Sequence, residues 1–229
     1  MGRRHGRHGL AHAAALMAQV LKPAVRTRIQ DAALRCFATH GYGGTSMAEI
    51  AAAAQTAPAN LYRYYASKEA LFDAVVPSDL AARHDTLLDT RVAALAQGTA
   101  NHPAAAAELL NFWLDHRLAL VVLLDRAEGT PFAAYPAAFV RRLVKHVEQA
   151  VDGTPSPVHS SILELVFDNT RRAIAQILAT GRDREHTSTL IAGFWSYQIP
   201  GLNGLMAFIN ADLARAATTQ PVSRRPAPA

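Results

Sequence analysis

Three helix-start signals crowd into one stretch, TSMAEIAAAAQTAPANLYRYYASKEALF, and they constrain the fold more tightly than anything else in the chain. Ser46 and Glu49 have the S-x-x-E spacing of a capping box, in which each side chain satisfies backbone N–H groups at a helix start. Pro58 suits the first position of the next helix, where a missing N–H is tolerated. Ser67 is a good N-cap for another. These signals predict short helices over Met47 to about Ala54, through Asn60–Tyr65, and from Ser67 towards Val76, where Pro77 bends or breaks the last. Upstream, Val25–His40 reads as an amphipathic helix with Ile29, Ala33 and Phe37 at four-residue steps. Gly41 ends it, and the Gly-Tyr-Gly-Gly run that follows permits a tight turn.

Two short helices joined by a tight turn, the second exposing polar and aromatic side chains, form a helix-turn-helix, here at about residues 46–65. Such a unit can lay its second helix in the DNA major groove. The composition around it agrees. Residues 1 to 78 hold nine Lys/Arg against four Asp/Glu, whereas residues 79 to 229 hold fourteen of each. The net charge of +5 therefore sits in the N-terminal third, as in a basic module that meets a polyanion. Three of the six tyrosines, Tyr62, Tyr64 and Tyr65, fall within four residues with Arg63 among them and Lys68 just beyond. On a helix they cannot share one face, so at least two hydroxyls point outward.

The run from IQDAALRCFATHGYGGTSMAEIA through NLYRYYASKEALF resembles the N-terminal domain of the TetR (tetracycline-repressor-like) family of bacterial transcriptional regulators. The features that carry it are A-x-x-x-F-x-x-x-G-Y, T-S-x-x-x-I-A and above all L-Y-x-Y-[FY]-x-S-K-E-x-L. The resemblance covers about residues 23–83 and implies a three-helix DNA-binding domain there. It also implies roles: Tyr62 and Tyr64 hydroxyls against phosphate oxygens, Lys68 with the fourth helix's N-terminus on another phosphate, and Thr45 or Ser46 doing the same at the second helix. Asn60 would read a base edge, with Arg63 reading guanine or binding phosphate, while Tyr65 matches a core aromatic. Three positions depart from the family pattern. Gln55 stands where a turn glycine is common, Ala57 where a Ser or Thr caps, and Ala59 where a glycine is common. The missing cap costs about 1 kcal/mol, and Gln55 is expected to adopt a positive φ. Ala57, Pro58 and Ala59 offer DNA only methyl and ring contacts.

The remainder is expected to be helical too. Half of the residues are hydrophobic and only 18% charged, with abundant alanine, so the whole chain reads as all-α. Residues 84–213 read as a larger helical domain: a helix over about Asp79–Gln97, a stretch from Ala104 to Glu128 dividing near Asp115, and another from about Pro136 to Val151. Ser156-Pro157 then start a helix ending at Thr180-Gly181, and a last one runs over roughly Thr187–Leu213 with a kink at Pro200-Gly201. The resemblance implies a homodimer through the last two helices, and the uncharged last helix with Gly193, Gly201 and Gly204 fits that role independently. It also implies a cavity for a small-molecule effector. Phe112, Trp113, His116, Phe194, Trp195 and Met206 are the candidate lining residues, set against the alternative of ordinary core.

Several functions are set aside. No H-E-x-x-H, Gly-Lys-Ser/Thr phosphate loop or G-x-S-x-G is present, so no enzyme and no cofactor are expected. The start, MGRRHGRHGL, reads as a disordered basic arm over residues 1–22, its His5, His8 and His12 as solvated groups and not a metal site. Residues 214–229 read as a disordered tail. The single Cys36 suits a reducing cytoplasm and a buried structural thiol. Thr187–Ala211 carries no charge, yet Ser196, Gln198, Pro200, Asn203 and Asn210 interrupt it, which points to a bundle helix and no membrane. The resulting expectation is a cytoplasmic homodimeric repressor on a pseudo-palindromic double-stranded operator, released by a small molecule. The alternatives are a TetR-like dimer without a ligand switch, and a ligand-binding or scaffold protein that has lost specific DNA recognition.

Overall fold

The computed structural model describes residues 22–96, 103–151 and 153–219. Within them lie ten helices and no strand: α1 (Pro23–His40), α2 (Met47–Ala53), α3 (Pro58–Tyr64), α4 (Lys68–Val75), α5 (Asp79–Ala96), α6 (Pro103–Asp115), α7 (Arg117–Asp125), α8 (Tyr135–Ala150), α9 (Pro157–Thr180) and α10 (Arg184–Thr219). The chain divides into two compact units at Pro77/Ser78. This moves the expected boundary from residue 83 back to 77, because α5 starts at Asp79 and packs on α6 and α8. The expected arm lies outside the described residues except for Lys22. The expected tail does so only from residue 220, since α10 continues to Thr219. Pro200 sits inside that continuous helix.

The first unit is built on α1, whose buried face presents Ile29, Ala32, Ala33, Cys36 and Phe37 to α2 and α4. Phe37, Tyr42 and Phe72 form an aromatic cluster with ring centroids 5.2–5.7 Å apart, which anchors the α1–α2 turn to α4. Ile50 of α2, Leu61 of α3 and Leu71 of α4 complete the core. The capping box is present: the Glu49 N–H donates to Ser46 Oγ at 3.2 Å and the Ser46 N–H to Glu49 Oε2 at 2.7 Å. Ser67 caps α4 by accepting from the Ala70 N–H.

In the second unit α7 is buried along Ala119–Leu124, a helix apolar all round and enclosed by its neighbours. Its most extensive packing is against α9. Two arginines lock the pair by capping each other's helix ends. Arg117 at the start of α7 donates to the Leu178 and Gly181 carbonyls at the end of α9. Arg171 in α9, itself buried, donates to the Leu124 carbonyl near the end of α7 and pairs with Asp125 and Asp168. These bonds satisfy carbonyls that a helix C-terminus leaves without intrahelical partners. Gly181 is required there by close approach, since a Cβ would lie 2.0 Å from Thr187 Oγ1.

A polar chain joins α5, α6 and α8. The Trp113 indole N–H donates to His84 Nε2 (2.9 Å), so the proton of this imidazole resides on Nδ1, 2.8 Å from the Tyr135 hydroxyl. Tyr135 donates to Asp85, and Arg142 bridges Asp85 and Asp89, which also meets His146. Burial depresses the His84 pKa to about 4, with Arg142 adding to the effect. Burial and then Asp85 raise that of Tyr135. His84 is thus a neutral core group stacked between Phe112 and Phe139.

Candidate nucleic-acid interface and ligand cavity

The α2–turn–α3 segment has the geometry its punctuation predicts. Gln55 adopts φ 52°, the only non-glycine residue with positive φ among those described, and Ala57 enters α3 with no side-chain capping bond. Asn60 steadies this entrance instead, its amide donating to Thr56 Oγ1 at 2.8 Å. Ala57, Pro58, Ala59, Tyr62 and Arg63 are exposed, with Tyr62 52% accessible. An exposed phenol beside a guanidinium can donate to phosphate oxygens or stack and pair against base edges.

Four expected contact residues are placed differently from one another. Ser46 is exposed, but its Oγ and N–H are both engaged in the capping box. Thr45 is buried and its hydroxyl donates to the Gly41 carbonyl at 2.7 Å, so this side chain faces the turn and not the surface, a correction to the sequence expectation. Tyr64 is half-buried and its hydroxyl accepts the Lys22 N–H at 3.0 Å, leaving its own proton to donate. Lys68 points back into the α1–α2 turn, donating to the Tyr42 and Thr45 carbonyls at 2.9 and 3.0 Å and lying 4.2 Å from the centre of the Tyr42 ring. Tyr42 in turn donates to Glu69 Oε1 at 2.7 Å. Burial and this carboxylate push the Tyr42 hydroxyl up to about 12, while the same bond holds the Glu69 carboxyl below its usual range. Arg26, Arg28 and Arg35 of α1, with Lys22 at its N-cap, are further exposed cations, whose only signal in the sequence is the basic excess of the first third.

The second unit holds a cavity of about 720 Å³ between α5, α6, α8, α9 and α10. Its walls are mainly Leu, Ile, Val and Ala, with Phe139, Phe167, Trp113 and Trp195, and a few polar groups including Arg91, His146 and Asn203. This is the size and character of a small-molecule pocket. Of the expected lining residues Trp113, Trp195 and Met206 are on the wall; Phe112, His116 and Phe194 are not. Successive helical residues differ in direction by about 100°. Phe112 therefore turns away from Trp113's side to stack on His84 and touch His116, and Phe194 sits beside Trp195, off the wall. Among the described residues no cluster of His, Cys, Asp or Glu is arranged to hold a metal ion, and no helix is long and apolar enough to cross a membrane. His5, His8 and His12 lie outside the described residues.

A sequence profile of bacterial regulatory proteins of the tetR family matches residues 29–75, which take in most of α1 and all of α2, α3 and α4. Over 172 residues the chain is 26% identical to the HTH-type transcriptional repressor AcnR of Corynebacterium efficiens, covering 72% of this chain and 88% of that protein. Among solved structures, that of AibR in complex with isovaleryl coenzyme A and operator DNA is 21% identical, covers 74% of this chain and 97% of that chain, and has a TM-score of 0.38. NalD, the secondary repressor of the MexAB-OprM multidrug efflux pump in Pseudomonas aeruginosa, is 20% identical over 75% of this chain and 94% of that chain, with a TM-score of 0.33. With the capping box, the α3 entrance and the Tyr62–Lys68 run all inside the matched segment, the first unit carries the N-terminal domain of the tetR family of bacterial regulatory proteins.

Proposed function

We propose that this protein is a ligand-responsive transcriptional repressor that binds a pseudo-palindromic operator as a homodimer and is released by a small molecule. The observation that carries the DNA-binding part is the face of α3, where Tyr62 and Arg63 stand exposed next to Ala57, Pro58 and Ala59 on a helix held by the capped α2. Ser46, Tyr64, Asn60 and Lys68 support that face, Lys68 through its grip on the preceding turn. The dimer reading rests on α9 and α10. Of the six large hydrophobic residues exposed among those described, five lie there: Val158, Leu165, Leu190, Tyr197 and Phe208. On α10, Leu190, Gly193, Tyr197, Gly201, Gly204 and Phe208 follow at three- and four-residue steps, one continuous stripe, with open space beside each glycine. Two copies joined there would offer two α3 helices to half-sites about one DNA turn, roughly 34 Å, apart. The ligand part rests on the cavity. A ligand preferring the DNA-free form lowers operator affinity by the factor with which DNA lowers its own.

The test is fluorescence anisotropy of the protein on DNA flanking its own gene and on scrambled DNA across a salt series. Tight, sequence-selective binding with a steep salt slope is expected. Weak and equal binding to both DNAs would favour a scaffold that has lost base reading, a result for which the internal bond of Asn60 and the bare Ala57 and Ala59 would account.

A further inference from the structure

The cavity in the second unit is apolar over most of its wall, and its polar groups are unevenly provided for. Asp85 and Asp89 on α5 are already paired: Arg142 reaches both at 2.7 and 2.6 Å, Tyr135 donates to Asp85, and His146 meets Asp89 at 2.8 Å. Arg91, two residues beyond Asp89 on the same helix, has no such partner. Its Nη1 is closed off from solvent and has no hydrogen-bond partner among the described residues, and its side chain lines the cavity together with His146. A guanidinium nitrogen shut away from water without an acceptor is costly, and a carboxylate is the acceptor whose geometry best suits it. Everything else that a ligand would meet over most of its length is hydrocarbon, including both tryptophans of the chain, Trp113 and Trp195.

We propose that the cavity binds an amphipathic monocarboxylate, its ionised head group on Arg91 beside His146 and its apolar body along the Trp113–Trp195 wall. This rests on the ligand-responsive reading above and names the class of ligand. A neutral alcohol of the same length fills the same apolar volume but offers Arg91 Nη1 only an uncharged acceptor, without the charge-assisted bond that a carboxylate makes. Arg91 therefore acts as the specificity-determining residue, selecting anionic over neutral head groups. The enclosing surface adds apolar affinity to both ligands alike.

Because both tryptophans lie on the wall, their fluorescence reports occupancy without DNA. The experiment titrates the full chain with dodecanoate and with dodecan-1-ol, below micelle-forming concentrations at pH 8. Wild type is expected to bind dodecanoate about tenfold or more tightly than the alcohol, the range expected of a charge-assisted hydrogen bond away from bulk water. Arg91→Met, which keeps an apolar chain of similar reach, is expected to bind the two with equal affinity, and Arg91→Lys to restore part of the preference. Far-UV circular dichroism melting identifies any variant that fails to fold, in which case the wild-type comparison decides. Equal affinities in wild type, or a preference that survives in folded Arg91→Met, overturns the proposal while leaving a ligand site in place. Absence of any tryptophan response to either amphiphile overturns it together with the ligand-responsive part of the proposed function; operator binding, measured separately, then stands alone.

Discussion

Gln55 holds its backbone at φ 52° in the turn between α2 and α3, where the missing side chain of a glycine would remove the steric penalty. For a residue with a Cβ that region costs about 1–2 kcal/mol, partly offset in a Gly variant by the larger entropy of the unfolded chain. Gln55→Gly is therefore expected to raise stability by about 0.5–1 kcal/mol, read as a shift of the urea midpoint; a lower midpoint would mean that the Gln55 side chain contributes contacts outweighing the strain. A second expectation concerns His84, whose folded pKa of about 4 lies below its ordinary value of 6.5. Above 6.5 both states carry a neutral imidazole and the full stability is present. As pH falls from 6.5 to about 4 the unfolded chain takes up the proton first, and on the order of 3 kcal/mol is lost. The groups facing the ring are Trp113, Tyr135, Phe112 and Phe139, with Asp85 and Arg142 one step beyond, and none offers an imidazolium a carboxylate directly. Denaturation at a series of pH values should show this loss in wild type. In His84→Gln, whose amide can both accept from Trp113 and donate to Tyr135, it should be much reduced. Equal slopes in the two proteins would rule out His84 as the source.

Among the elements, α7 and α9 test how far reciprocal capping holds the second unit together. Arg171→Met removes the donor to the Leu124 carbonyl and one partner each of Asp125 and Asp168. Those carboxylates retain Arg126 and Arg172, so the loss should be about 2–3 kcal/mol, below that of a bare buried charge. Arg172→Met, at a side chain 66% exposed, should leave the urea midpoint close to that of wild type. Comparable losses in the two variants would mean that Arg171 acts only as a surface ion pair. The same elements show what a sequence makes legible. Capping is local: Ser46, Ser67 and Ser156 each accept a backbone N–H three residues on, and Pro58 opens α3 where no N–H is needed, so these four helix starts were readable from spacing alone. The division near Asp115 falls where it was expected without any side-chain cap, whereas the extension of α10 to Thr219 was not readable, since nothing in Ala214–Thr219 marks a stop. Long-range pairings escape such reading. The ammonium of Lys68 meets carbonyls 23 and 26 residues earlier, and Arg91 and His146 reach one cavity from different helices, so neither fate is written in a short motif. Phe112 and Phe194 were misplaced because the direction of an aromatic within a crowded helix is decided by its neighbours in space.

For the whole molecule, the proposed function depends on the number of copies that act together. Among the described residues the α10 stripe and Leu165 of α9 present exposed apolar side chains, and in the proposed dimer a two-fold axis would bury them in an isologous interface. In such an interface a substitution is met twice. Leu165→Glu with Tyr197→Glu would place four carboxylates in one dimer contact, where desolvation and mutual repulsion oppose association. Neither residue lines the cavity, so the ligand site should survive the change. Sedimentation velocity is expected to show a dimer for wild type and a monomer for the double variant. Operator affinity should fall by about 100-fold or more, because the second half-site contact no longer benefits from being tethered to the first. The dodecanoate response of the tryptophans should remain. A monomer that keeps wild-type operator affinity would remove the need for two α3 helices, and a double variant that stays dimeric would place the interface on another face. Loss of oligomeric state and operator affinity together, with ligand binding retained, would separate the surface that joins two copies from the wall that holds the ligand, although α9 and α10 supply both.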